Sequence, residues 1–159
     1  MEFDGEYLID RKWDGKGYDQ NGNVIYELHN GDGMVKEYDF LEDLIYEGEY
    51  NKGKRNGKGK EYKDNYLKYE GEYLKGDKFG KGKEYNKEGK IIFEGDYKYD
   101  HRDKGKEFDD NNKLIFEGEY SACGDKKNGK EIKYNDKGTP IAGIEYLNGQ
   151  KKKKICFIF

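Results

Sequence analysis

Tyr46-Glu47-Gly48-Glu49-Tyr50 decides how this chain is read, because the pattern returns at Tyr69 to Tyr73, Phe93 to Tyr97 and Phe116 to Tyr120. Each copy begins 23 or 24 residues after the last. A spacing that regular means that one small module is stacked on itself, so function is expected on an extended surface. Within a copy, Phe93, Gly95 and Tyr97 share one parity while Glu94 and Asp96 take the other. Period two is the signature of a strand.

A second short run follows each copy, as in Gly57-Lys58-Gly59 and Gly80-Lys81-Gly82. Again the glycines share one parity and the lysines the other. The segments between runs, such as Asn86-Lys87-Glu88-Gly89-Lys90, carry turn residues. Two strands and two turns fit into one period. The expected fold class is therefore all-β: an elongated, twisted antiparallel sheet of repeated β-hairpins. About 13 strands at ~4.8 Å would make a ribbon on the order of 60 Å long.

The glycines are expected to make room for rings. Phe93 and Tyr97 would lie over Gly80 and Gly82 of a neighbouring strand, where no side chain blocks them. Glu94 and Asp96 on the other face would sit near Lys81 and Lys83, at roughly 0.2–1 kcal/mol per cross-strand pair. Tyr85 breaks this parity, which calls for a bulge or a place on the other face. The second copy is degenerate, with Leu28 where a glycine is expected, and the sixth carries Glu131 in a glycine place. The reading is about six repeats plus a partial seventh over residues 1–150.

Composition bounds the rest. Only 33% of the 159 residues are hydrophobic and 41% are charged, too few aliphatic side chains for a round core. The net charge is −3, but setting aside Lys151 to Lys154 leaves 27 Lys and Arg against 34 Asp and Glu, or −7. Such a body repels nucleic acid and anionic lipid, while the basic tail attracts them. No nucleic-acid partner is expected. Cys123 and Cys156 lie far from any metal spacing, and no secretory signal or span-length apolar run is visible.

Tyr69-Glu70-Gly71-Glu72-Tyr73 with Gly76, Gly80 and Gly82 resembles the membrane occupation and recognition nexus (MORN) repeat, as do Tyr46, Gly48, Tyr50, Gly53, Gly57 and Gly59. The resemblance covers about residues 3–150. Gly89-Lys90-Ile91-Ile92 is similar to a second MORN variety found in some antitoxin-like proteins. The resemblance implies a hairpin array without catalytic activity or cofactor, acting as a scaffold at membranes or cytoskeleton, binding protein partners and associating with itself. The repeat positions it marks are Tyr46, Gly48, Tyr50, Gly57, Gly59, Tyr69, Gly71, Tyr73, Gly80, Gly82, Phe93, Gly95, Tyr97, Phe116, Gly118 and Tyr120.

Residues 151–159 read differently. Cys156-Phe157-Ile158-Phe159 fits a C-a-a-X prenylation pattern, with Phe in the last place favouring a geranylgeranyl group on Cys156. Lys151, Lys152, Lys153 and Lys154 would add ~1 kcal/mol each at an anionic leaflet. This expects a cytoplasmic chain at the cytosolic face of a membrane. The alternative is that Ile155 to Phe159 form a last strand capping the sheet, with Lys151 to Lys154 a solvated run, making a soluble protein-binding or antitoxin-like module.

Other chemistry is sparse. Ser121, Thr139, His29 and His101 fall in different copies, so no catalytic constellation is expected. The Gly-Lys-Gly runs recur and open strands, unlike a phosphate loop. Asp109-Asp110-Asn111-Asn112 lacks the glycine and distal acid of a calcium loop, so no metal is expected. Aromatic platforms including Trp13 leave carbohydrate binding as a further alternative.

Overall fold

A computed structural model describes residues 2–156, with side chains through Lys154. It is all-β, with 14 antiparallel strands and no helix among the described residues. Two compact units divide between Phe79 and Gly80.

The first unit holds two open sheets. One is β1 (Glu2–Leu8), β2 (Arg11–Tyr18) and β3 (Val24–Leu28), hydrogen-bonded in that order; the other runs β4 (Gly33–Tyr38), β5 (Leu44–Asn51), β6 (Lys54–Lys63) and β7 (Tyr66–Leu74). The division falls within β8 (Asp77–Tyr85). In the second unit β8 is followed, again in chain order, by β9 (Ile91–Lys98), β10 (His101–Phe108), β11 (Leu114–Tyr120), β12 (Lys126–Tyr134), β13 (Pro140–Leu147) and β14 (Gln150–Cys156). The fourteenth strand is the basic segment itself.

Glycines meet glycines across the sheets. Gly48 pairs with Gly59 and Gly59 with Gly71; Gly82, Gly95, Gly105, Gly118 and Gly129 form a second row. Tyr46 lies over Gly48 and Gly59, Phe93 over Gly95 and Gly105, and Phe116 over Gly118 and Gly129, so in these copies a ring covers a glycine of its own strand and that glycine's partner on the following strand. A Cβ on Gly95 would meet Phe93 Cζ at 2.8 Å and one on Gly105 would meet it at 2.5 Å, so Phe93 covers those two residues. Each ring leans forward along its own strand to the glycine two residues on, and across to that glycine's partner.

Two irregularities are resolved by register. Glu84 pairs with Phe93 and Tyr85 with Ile91, so the bulge places its extra residue, Ile92, on β9, and Tyr85 keeps the parity of Lys81 and Lys83. The same shift precedes Tyr62, whose hydroxyl donates to Glu47 Oε1 at 2.6 Å on the opposite face. Glu131 is not in a glycine place: Gly129 faces Gly118, and Glu131 faces Phe116 as Glu107 faces Phe93.

The degenerate copy changes the packing. Leu28 stands opposite Gly15 and is fully buried with Tyr26 and Val35, against Phe3, Ile25 and Tyr50. Its side chain fills the space where bare backbone would let strands pair, and β3 and β4 share only the isolated bridge His29–Asp32. A ladder gives way to a small hydrophobic core.

Five-residue turns open on Asp19, Asp39, Asn86, Asp109, Ser121 or Asn135, whose side-chain oxygen accepts a backbone N–H four residues on in every case. Other turns have two residues, both at positive φ, the geometry that suits hairpin twist. Ile9 occupies one such place at φ 48° with 83% of its surface exposed. A β-branched residue there costs about 1–2 kcal/mol. Ile9→Asn should raise the thermal midpoint by a few degrees in a calorimetric scan; an unchanged or lower midpoint would contradict that reading.

Candidate interaction surfaces

Each sheet presents two faces of different chemistry. On the ring face, Tyr46, Tyr69, Phe93 and Phe116 have no exposed surface although only one layer of backbone lies beneath them. Neighbouring rings close part of the gap edge to face, with Tyr46 5.4 Å from Tyr73 and Phe93 5.7 Å from Tyr120. A cation closes the top. Arg55 lies 4.1 Å over Tyr46, Lys78 4.2 Å over Tyr69, Arg102 4.4 Å over Phe93 and Lys126 4.7 Å over Phe116.

Those cations are held by carboxylates. Arg55 bonds Glu37 through Nε and Nη2, both at 2.9 Å, and Glu61 through Nη1 at 3.1 Å. Lys78 pairs with Glu61 at 2.7 Å. In the second unit Arg102 bonds Glu84 and Glu107, and Lys126 lies 3.4 Å from Glu107 and 3.6 Å from Glu131. Tyrosines complete the row: Tyr50 donates to Glu37 and Tyr97 to Glu84, both at 2.5 Å, and Tyr146 to Glu131 at 2.7 Å. Acid, base and phenol therefore alternate over the rings.

Sequence reasoning missed this row. Arg55, Lys78, Arg102 and Lys126 recur at 23 or 24 residues, as do Glu37, Glu61, Glu84, Glu107 and Glu131. The signal shared the period of the aromatics but was spread through a chain in which charged residues are everywhere.

The other face carries acid and lysine in rows. Lys81 stands opposite Asp96 and Lys83 opposite Glu94, and Lys81 Nζ lies 2.7 Å from Asp96 Oδ1. Glu47 and Lys60 approach at 3.6 Å, Lys106 and Glu117 at 3.9 Å. Solvent screens these pairs, so each adds little to stability. Their side chains remain open to a partner.

Burial and charge set the titration of the ring face. Burial works to raise Glu37, yet hydrogen bonds from Arg55 and Tyr50 outweigh it and hold the carboxyl below its usual range. Glu131 is lowered likewise, with Tyr146 and Lys126 overcoming burial. Burial first, then Glu131, pushes the Tyr146 phenol up to about 12, and burial raises Tyr46, Tyr50, Tyr73 and Tyr120 further. The buried hydroxyls of Tyr73 and Tyr120 lack a partner in hydrogen-bonding geometry, but Glu61 and Glu107 lie close enough to disfavour ionisation.

Stability should therefore fall at both extremes. The depressed carboxyls contribute stability that is present above their unfolded values near 4.5 and lost as pH falls through the folded ones. The raised phenols contribute stability that is complete below 10.0 and lost as pH rises from there through their folded values. Urea midpoints measured from pH 3 to 11 should show a plateau with two falling limbs. A flat alkaline side would mean that the phenols titrate freely.

The remaining sequence-marked residues are scattered. His29 is exposed, 3.9 Å from Asp14 and 3.8 Å from Glu27, and His101 is exposed at the start of β10. Ser121 Oγ accepts the Asp125 N–H at 3.2 Å, and Cys123 is exposed in the same turn. No group of three or more His, Cys, Asp or Glu is arranged to hold a metal among the described residues. Lys151 to Lys154 are exposed and lie in β14, where Lys154 faces Ile144, Lys153 faces Glu145 and Lys151 faces Tyr146. The backbone of Cys156 pairs with Ala142. Its side chain and Phe157 to Phe159, on which the lipidation expectation rests, lie outside the described residues. Compared with known proteins, the chain matches no family model and no curated sequence.

Proposed function

We propose that the chain is a non-catalytic scaffold that binds a protein partner through the acid-and-lysine face of its sheets. The observation that carries this reading is the contrast between the faces. Ring-side charges are consumed by contacts within the sheet, while charges such as Lys81 and Asp96 on the other side are 75% and 37% exposed. An ordered, solvated array of both signs recognises a complementary protein surface and rejects a mismatched one. The resemblance to MORN repeats supports the same use. Carbohydrate stacking is less well supported, since the row of rings is covered by cations.

Affinity capture with the full chain tests the reading. Partners retained by wild type and by Arg102→Lys, but lost by the face variant Lys60→Glu/Lys106→Glu, are expected. Partners retained equally by all three would remove the face from recognition, and turnover in a broad hydrolase screen would remove the non-catalytic assignment.

A second reading adds a membrane tether, carried by the Cys156 motif and the exposed Lys151 to Lys154. Prenyl transfer would require the end of β14 to leave β13, so the strand pairing favours the capping role. Detergent partitioning of wild type against Cys156→Ser decides between them: equal membrane fractions would exclude the tether.

A further inference from the structure

The two outermost strands are unfinished in complementary ways. Interior lysines of the polar face stand between two acids: Lys60 between Glu47 and Glu70, Lys106 between Glu94 and Glu117, Lys130 between Glu117 and Glu145. Lys153 on β14 faces Glu145 on one side, and β14 pairs with no strand but β13 among the described residues. On β1, Asp4 faces Lys16 of β2, and among the described residues no other strand pairs with β1. Tyr7 shows the same incompleteness. Its counterparts Tyr50 and Tyr97 donate to a glutamate of the preceding strand, whereas Tyr7 is 57% exposed, its ring edge to face with Phe3.

We propose that the chain joins a second copy of itself head to tail, β14 of one copy adding to the open edge of β1 in the next. Both strands have seven residues. β14 brings four exposed lysines, Lys153 opposite Glu145 and Lys151 5.9 Å over the Tyr146 ring, and β1 brings Glu2, Asp4 and Glu6. Charge selects between these two strands: β14 against β14 sets lysine on lysine, and β1 against β1 sets acid on acid, whereas β14 against β1 sets unlike charges together. Lysine on an edge strand discourages indiscriminate association, and here it leaves one acidic edge acceptable. An interface between two different surfaces does not close on itself as a symmetric dimer does, so the product is an open chain of copies. This goes beyond the scaffold reading and holds whether or not the polar face binds a partner.

The test is analytical ultracentrifugation of the full chain over a concentration series at low salt, repeated at about 1 M salt, where charges act over only ~3 Å. Wild type is expected to at least double in apparent mass with concentration, and less so in high salt. Asp4→Lys/Glu6→Lys and Lys151→Glu/Lys153→Glu should each stay monomeric, and their equimolar mixture should associate again. Amide exchange in wild type should slow with concentration in β1 and β14 alone, a readout that needs no variant. A wild type that stays monomeric, charge variants that assemble as it does, a mixture that stays monomeric, or exchange in β1 and β14 that ignores concentration would each overturn the proposal.

Discussion

Gly129→Ala is expected to destabilise the second unit by about 3–5 kcal/mol. Gly129 has φ +147°, a conformation that side chains rarely adopt, and such strain alone costs on the order of 1–3 kcal/mol. The added Cβ would also meet the Glu117 carbonyl oxygen, Gly118 Cα at 2.7 Å and Phe116 Cζ at 2.9 Å. Two of those atoms are backbone and cannot step aside, and the ring is fully buried. Overpacking of this kind adds roughly 1–3 kcal/mol. In a repeat array each copy leans chiefly on its neighbours, so loss should spread from this rung before the whole chain melts. Amide exchange should show β11 and β12 opening first. A variant within about 1 kcal/mol of wild type would mean that the rung is not held by the ring.

Arg102→Ala should cost about 2–4 kcal/mol, whereas Arg102→Lys should cost less than about 1. Arg102 lies between two carboxylates, with Nη1 2.9 Å from Glu107 Oε1 and Nε 3.1 Å from Glu84 Oε1, and covers Phe93 at 4.4 Å. Alanine uncovers the ring and leaves both acids without this cation in a half-buried setting. Lysine loses the forked bond but keeps charge and stem, and Lys78 and Lys126 already serve in the same place. Urea denaturation of the two variants separates the cases. Equal losses would mean that the fork, not the charge above the ring, holds the copy together.

Strand alternation was legible because side chains point to opposite faces every second residue, so Glu94 and Asp96 had to lie opposite Lys81 and Lys83 if the hairpins paired. The turn residues were legible for a similar local reason: in Asn86 to Lys90 the Asn86 side chain accepts the Lys90 N–H and Gly89 takes a positive φ. What failed was inter-strand register. The rule that rings need glycine does not say which neighbouring glycine, and Phe93 reaches Gly105 on the following strand because a side chain leans along its strand as well as across it. Glu131 was misplaced for the same reason, since one residue of bulge moves every assignment after it. The cation row could have been found by its period, yet nothing local distinguishes Arg102 from Arg11 or Lys126 from Lys127.

The amino-acid order alone determined that this chain is a β-array of repeating hairpins, because parity, turn residues and period are local properties that each copy carries within itself. Only the tertiary structure decided which side chains meet: rings over glycine pairs, cations over rings, Leu28 in a core of its own, and the lysine run paired as a strand. Most of those contacts join residues roughly 8 to 14 positions apart on paired strands, and their energies come from burial and charge that exist only once neighbouring strands lie side by side.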